Sequence, residues 1–229
     1  MHTREIHKRF DVLKQAEFER SLPYFQSALF DLDGVLLDTE SQYSLFWDGI
    51  GREYRPDVPN LGDCIKGQTL TQIYQRWFEG QESLQEQITA RLNAYEQQMQ
   101  YPYIAGALEF VQALRQEGKQ IAIVTSSNIP KMQQVYRSHP ELTTLFDHIL
   151  TSEDFNASKP DPHCYLLAAE RCHAKPEACV VFEDSINGLK AGRASGAFVV
   201  GLATTNPAET ISPLADLVIN DFTCLKLRL

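Results

Sequence analysis

From Gly106 onward, short apolar runs alternate with amphipathic stretches, and this alternation leaves few folds open. The pattern predicts a helix over 106–117 ending at Gly118, a strand at Ile121–Val124 and a helix near 130–138. A strand at His148–Leu150, a helix near 162–172, a strand at Val180–Phe182 and a helix near 186–195 follow, then strands at Phe198–Gly201 and Leu217–Ile219. Apolar runs without polar alternation belong to strands buried on both faces, as in a parallel sheet covered by helices on each side. Right-handed crossovers then leave the loops at the strand carboxyl ends to build a site.

One further strand stands apart: Ala28-Leu29-Phe30 runs straight into Asp31-Leu32-Asp33-Gly34. Between it and the alternating region, the segment from about Ser41 to Gln100 is rich in Gln, Glu and aromatics and nearly free of β-branched runs. Its apolar residues fall into helical sets: Tyr43, Phe46, Trp47, Ile50; then Leu70, Ile73, Tyr74, Trp77, Phe78; then Leu84, Ile88, Leu92, Tyr95, Met99. Before the first strand, Ile6, Phe10, Leu13, Phe18 and Leu22 repeat at roughly helical spacing until Pro23 breaks the pattern. The expected organisation is a doubly wound, Rossmann-like α/β core of residues 26–40 and 103–229. An all-helical insert over 41–102 interrupts it, and an N-terminal helical extension over 1–25 precedes it.

Composition narrows the function. At 229 residues the chain has room for one core domain and a small companion. A net charge of -9 disfavours nucleic acid and anionic membrane surfaces, yet leaves room for a local cationic pocket and a small phosphorylated metabolite. Five cysteines without a C-x-x-C pair are read as reduced thiols rather than a disulfide or zinc framework. Met1 to Arg9 is charged, and no run approaches the roughly 18 apolar residues of a membrane span, so the expectation is a cytoplasmic chain.

Four small signals sit at or after strand ends. Asp31 and Asp33 place two carboxylates directly after an apolar strand, a costly arrangement unless a cation or hydrogen bonds hold them, and Gly34 permits the tight turn between them. An ordinary acidic turn is the competing reading. Thr125-Ser126-Ser127 offers hydroxyls and backbone N–H groups to a phosphate oxygen, or simply a helix cap. Ser158-Lys159-Pro160 offers one ammonium, or a surface lysine. Glu183-Asp184 offers carboxylates to a hard cation such as Mg²⁺, with helix capping by Asp184 as the alternative. Each bland reading competes alone. Four of these signals in order on an open α/β sheet point to one site.

The lines LFDLDGVLLDTES (29–41), IVTSSN (123–128), SKPDP (158–162) and VFEDSINGLKAGRASG (181–196) resemble the four motifs of the haloacid dehalogenase superfamily. The likeness is to the branch holding β-phosphoglucomutases and small sugar phosphatases, and it spans residues 28–222. It implies Asp31 as nucleophile and metal ligand, and Asp33 as general acid and then base, with its carbonyl on the metal. It also implies Thr125, Ser126 and Lys159 on the transferring phosphoryl group, and Asp184 with Glu183 completing an Mg²⁺ site. The physical logic agrees, because carboxylate attack on a phosphate dianion needs cations over the equatorial oxygens.

The same resemblance makes the insert a cap, with Lys66-Gly67-Gln68-Thr69 as the loop reaching the site. Lys66, Gln68 and Tyr43 are thus the candidate cap contacts. The mutases carry a histidine where this chain has Tyr43, and a phosphate-binding arginine where it has Leu70. Most of the insert's aromatic residues are expected to pack its own small core. The leading expectation is a phosphatase of a small phosphomonoester of the sugar-phosphate type. A phosphomutase is the runner-up, and an idle binding protein on the same fold ranks below it. Dehalogenase and phosphonatase readings are weaker, since those relatives lack an aspartate at the Asp33 position. Monomer and homodimer are both left open.

Overall fold

A computed structural model describes residues 25–225, so the predicted helix over 4–22 lies outside the described residues. The first strand, β1 (Ser27–Phe30), is followed by four helices: α1 (Glu40–Tyr54), α2 (Leu61–Cys64), α3 (Leu70–Trp77) and α4 (Glu82–Glu96). Alternation then begins with α5 (Ala107–Gln116), β2 (Gln120–Val124), α6 (Ile129–Ser138), α7 (Leu142–Leu145) and β3 (His148–Leu150). It continues through α8 (His163–Arg171), β4 (Cys179–Glu183), α9 (Ile186–Ser195), β5 (Phe198–Leu202), α10 (Ala208–Ile211) and β6 (Leu217–Ile219).

The strands form one sheet in the order β3-β2-β1-β4-β5-β6, and every pairing is parallel. From central β1 the chain first builds outward through β2 and β3, then crosses to the other side for β4, β5 and β6. The strand order therefore reverses at the carboxyl end of β1, where open α/β sheets bind ligands.

Side chains alternate across the sheet with period two, and both faces are covered. Ala28, Phe30, Ile121, Ile123, Val180 and Phe182 enter one buried cluster, with Phe110 of α5 and Phe222. Leu29, Ala122, Val124, Val181 and Val199 enter another, under α8 and α9. Phe30 and Phe182 stack across the β1–β4 pair with centroids 4.6 Å apart. The absence of polar alternation in these strands has this two-sided burial as its cause.

The four helices between β1 and β2 enclose their own cluster of Trp47, Ile50, Leu61, Ile65, Ile73, Phe78, Ile88 and Leu92. Most of the aromatic residues singled out in the insert pack into or against it, as expected from their spacing. The third helical set ends earlier than the periodicity indicates: α4 stops at Glu96, and buried Met99 joins the cluster beneath the sheet instead. Helix α3 starts from a capping box, with Thr69 and Gln72 exchanging side-chain and backbone bonds. None of the described helices is long and apolar enough to cross a membrane.

Candidate active site

The β1 backbone keeps its ladder for one residue beyond the strand, with the Asp31 N–H donating to the Phe182 carbonyl at 3.0 Å. Gly34 then turns the chain at φ 74°, and the Leu36 and Leu37 N–H groups fold back onto the Leu32 carbonyl. A Cβ on Gly34 would lie 2.2 Å from an Asp184 carboxylate oxygen. Glycine is thus required twice, for its left-handed backbone and for the close approach of β1 and β4 loops.

Lys159 lies at the centre of the buried end. Its ammonium donates to Asp31 Oδ1 at 2.6 Å, to Glu183 Oε1 at 2.6 Å and to the Val124 carbonyl at 3.1 Å, which uses all three of its N–H groups. Glu183, fully buried, also accepts from the Tyr165 hydroxyl at 2.8 Å on Oε1. Its Oε2 accepts from the Asp184 and Ser185 amides and from the Ser185 hydroxyl. Glu183 is therefore saturated, and it fixes Lys159 from behind.

Asp31, Glu183 and Asp184 each bring a carboxylate oxygen to one point, all within 4.8 Å of one another. Burial is the main reason that the Asp31 carboxyl is pushed up to about 8; Lys159 pulls it back, and Glu183 and Asp33 push it further. Burial and then Glu183 hold Asp184 well above the usual carboxylate range. Crowded buried carboxylate oxygens, two of them on groups whose charged form is disfavoured without a cation, make a donor set suited to a hard divalent ion.

The Asp33 carboxylate sits in different surroundings. Oδ1 accepts from the Thr39 hydroxyl, and Oδ2 accepts from the Ser127 hydroxyl at 3.0 Å and from the Lys131 ammonium. Burial disfavours its charge, but Lys131 and these hydrogen bonds outweigh it and hold the carboxyl below its ordinary range. Lys131 also lies over the Tyr43 ring, 4.3 Å from its centroid. The Tyr43 hydroxyl donates to Glu96 Oε1 at 2.8 Å.

Both carboxylate ends open into one cavity of about 590 Å³ between the sheet and the helical insert. Thr125 and Ser126 line it at the β2 end, with the Thr125 hydroxyl accepting from the Ser127 amide. The capping alternatives for these motifs fall to their neighbours: Asn128 caps α6, and Ser185 caps α9. Thr125, Ser126 and Asp184 thus stay available to the cavity. On the insert side, the Thr69 hydroxyl meets that of Ser158 at 3.3 Å, and Gln72 donates to the Lys159 carbonyl at 3.1 Å. Lys66 and Gln68 also line the cavity. Lys66 pairs with Asp63 at 2.9 Å, and Gln68 donates back to the Cys64 carbonyl.

The sequence-predicted residues therefore line one cavity, except Glu183, which is buried behind Lys159. Lys131, Thr39, Glu40, Glu96 and Tyr165 were not among them, and Ser127, read with Thr125 and Ser126 as a phosphate contact, instead donates to Asp33 Oδ2. Thr39 and Glu40 lie inside the first quoted motif line, and Lys131 stands one helical turn beyond the second. Glu96 had no signal, because only the packing of α4 turns it to the cavity. There Glu40 is pushed up to about 7, chiefly by burial and then by Asp33.

A haloacid dehalogenase-like hydrolase family model matches residues 25–196. The chain belongs to that family. It is 29% identical over 206 residues to the validoxylamine A 7'-phosphate phosphatase of Streptomyces hygroscopicus subsp. limoneus, covering 87% of this chain and 95% of that one. It is 30% identical over 182 residues to a phosphorylated carbohydrates phosphatase of Thermotoga maritima, covering 75% and 82%. A β-phosphoglucomutase of Clostridium difficile shares the fold at a TM-score of 0.71 and 19% identity, covering 89% of this chain and 94% of that one.

Proposed function

We propose that the protein is a phosphatase that cleaves a small phosphomonoester, of the sugar-phosphate type, in two steps through Asp31. The carrying observation is the Lys159 ammonium bonded at 2.6 Å to both Asp31 and Glu183, beside a cluster of buried carboxylates. In the first step Asp31 attacks phosphorus and the P–O bond to the sugar breaks. Asp33 gives its proton to the departing oxygen, which leaves as an alcohol. In the second step water attacks the aspartyl-phosphate, Asp33 takes its proton, and inorganic phosphate departs. Dividing the transfer in this way replaces one difficult step with two easier ones.

The Asp33 surroundings favour its charged form, which suits the water-activating step; the acid step needs that carboxyl protonated when substrate is bound. The Thr125–Ser126 segment binds the phosphoryl oxygens, and Lys159 turns its Asp31 hydrogen bond to one of them as Asp31 takes up the phosphoryl group. The fit of the oxygen-only donor set supports Mg²⁺ held by Asp31, Asp184 and the Asp33 carbonyl, with Glu183 behind them. When bound, the ion neutralises charge on the phosphoryl oxygens. The helical insert acts as a cap that excludes bulk water and contacts the leaving group through Tyr43, Lys66 and Gln68.

A mutase needs a cation for a second phosphate. Here Leu70 offers none, Lys66 is engaged by Asp63, and Lys131 is engaged by Asp33. Water as acceptor is therefore favoured. The test is phosphate release from a panel of sugar phosphates with and without Mg²⁺. Turnover that persists in excess chelator, or no release from any ester, overturns the proposal.

A further inference from the structure

We propose that Lys131 is a positioning residue for Asp33 and that it couples the orientation of that carboxylate to the seating of the helical insert. The inference rests on the phosphatase reading above. Lys131 is 5% exposed, although a lysine is rarely buried without a partner. Its ammonium joins two bodies. On the core side it is ion-paired with Asp33 Oδ2 and shares that oxygen with Ser127. On the insert side it rests on the Tyr43 ring of α1, and Tyr43 is itself fixed by Glu96 of α4.

The helix that carries Lys131 is well anchored. Asn128 caps α6 and accepts from the Lys131 amide at 3.0 Å, so the lysine stem leaves a defined first turn. The other oxygen of Asp33 accepts from Thr39, the residue immediately before α1. Asp33 is thus held from the core by Ser127 and Lys131, and from the insert by Thr39 and, through Lys131, by Tyr43. If the insert unseats, Lys131 loses its aromatic platform and Asp33 loses its defined direction. A role for Lys131 as a clamp for a second phosphate fits less well, because Asp33 already neutralises it and Glu96 and Glu40 stand close by.

A residue that orients the proton donor should matter in proportion to how badly the leaving oxygen needs a proton. The test compares kcat and KM on a sugar 6-phosphate, whose alkoxide must be protonated, and on p-nitrophenyl phosphate, whose phenolate leaves unaided. Lys131→Met is expected to lower kcat/KM on the sugar phosphate by about a hundred-fold, carried by kcat, within the range of general acid catalysis. The loss on p-nitrophenyl phosphate should be about tenfold smaller. Lys131→Arg should recover part of the rate, and Tyr43→Leu should give a weaker loss with the same dependence on leaving group.

The decisive comparison is Asp33→Asn with and without Lys131→Met. A residue acting through Asp33 adds little once Asp33 is disabled. Additive losses in the double variant, equal losses on both esters, or no loss at all overturns the proposal. If Lys131→Met does not fold, Lys131→Gln and Tyr43→Leu carry the same comparison. Wild-type protein inert on both esters overturns the phosphatase reading itself, an outcome distinct from an active wild type indifferent to Lys131.

Discussion

The two ends of the cavity are built differently. At the phosphoryl end all three Lys159 donors are used and both Glu183 oxygens are saturated. A Cβ on Gly34 or Gly188 would collide with a carboxylate there. At the leaving-group end, Lys66 and Gln68 are bonded only within their own segment, and Glu40 and Glu96 come from helices that the sheet does not hold. The first end is fixed by core strands, so its chemistry tolerates no variation. The second is supplied by the insert, so selection among alcohols can change without disturbing the reaction.

Breaking the rigid end should have the largest effect. Asp31→Asn should lower kcat by roughly 10⁴-fold or more, as removal of a nucleophile acting within a unit does, and circular dichroism should show the fold intact. Normal turnover in the purified variant defeats the proposed mechanism. Gly188→Ala comes next, because its Cβ would stand 1.8 Å from Glu183 Oε1. Pushing Glu183 aside frees the buried Lys159 from one partner, at a cost of about 3 kcal/mol. Thermal melting should fall by several degrees and kcat by about a hundred-fold. A melting point and kcat equal to wild type would show that the network is looser than its geometry.

The metal-free cluster has its own pH dependence. Asp31 rises from 3.8 to about 8 in the folded protein, so the protonated carboxyl favours folding. That contribution is complete below about pH 4 and disappears as pH climbs through about 8. A divalent ion must displace this proton. The melting point of metal-free protein should therefore decline across that window, and Mg²⁺ should raise it more at pH 8 than at pH 5. Calorimetry at both pH values checks this. A Mg²⁺ shift larger at pH 5, or absent at both, removes the carboxylate cluster as the binding site.

The same contrast explains what could be read from the sequence. The strands and longer helices of the core were legible to within a residue or two, because strands buried on both faces leave unbroken apolar runs and helices leave a 3.6-residue period; the one-turn helices α7 and α10 are too short to show one. Tyr165 inside α8 left no signal and Lys159, well past β3, entered only through its motif line, but the rest of the rigid end was legible, since Asp31, Thr125 and Asp184 each follow a strand directly. Lys131 was not: a lysine on an amphipathic helix looks like a solvated one, and its burial depends on Asp33, 98 positions away in the sequence, and on Tyr43 from the insert. Where function depends on how two separately patterned segments meet, local pattern carries no trace of it.

The smallest expected effect tests the leaving-group end by charge. Asp33, Glu40 and Glu96 face it against Lys131 and Lys66, and both lysines are already paired. A bound second phosphate would normally gain about 1.5–3 kcal/mol from a charge-assisted hydrogen bond. That corresponds to roughly ten- to a hundred-fold in affinity. With no unpaired cation at this end among the described residues the gain should vanish, so glucose 1,6-bisphosphate should bind no better than glucose 1-phosphate and should not activate the enzyme. Phosphorus NMR of β-glucose 1-phosphate with enzyme, Mg²⁺ and catalytic bisphosphate should show inorganic phosphate as the product. Glucose 6-phosphate accumulating faster than phosphate would reverse the assignment and point to Lys66, released from Asp63, as the clamp. Asp63→Asn sharpens the question further. Freeing Lys66 should then raise affinity for the bisphosphate selectively, which ties specificity to a single surface ion pair on the insert.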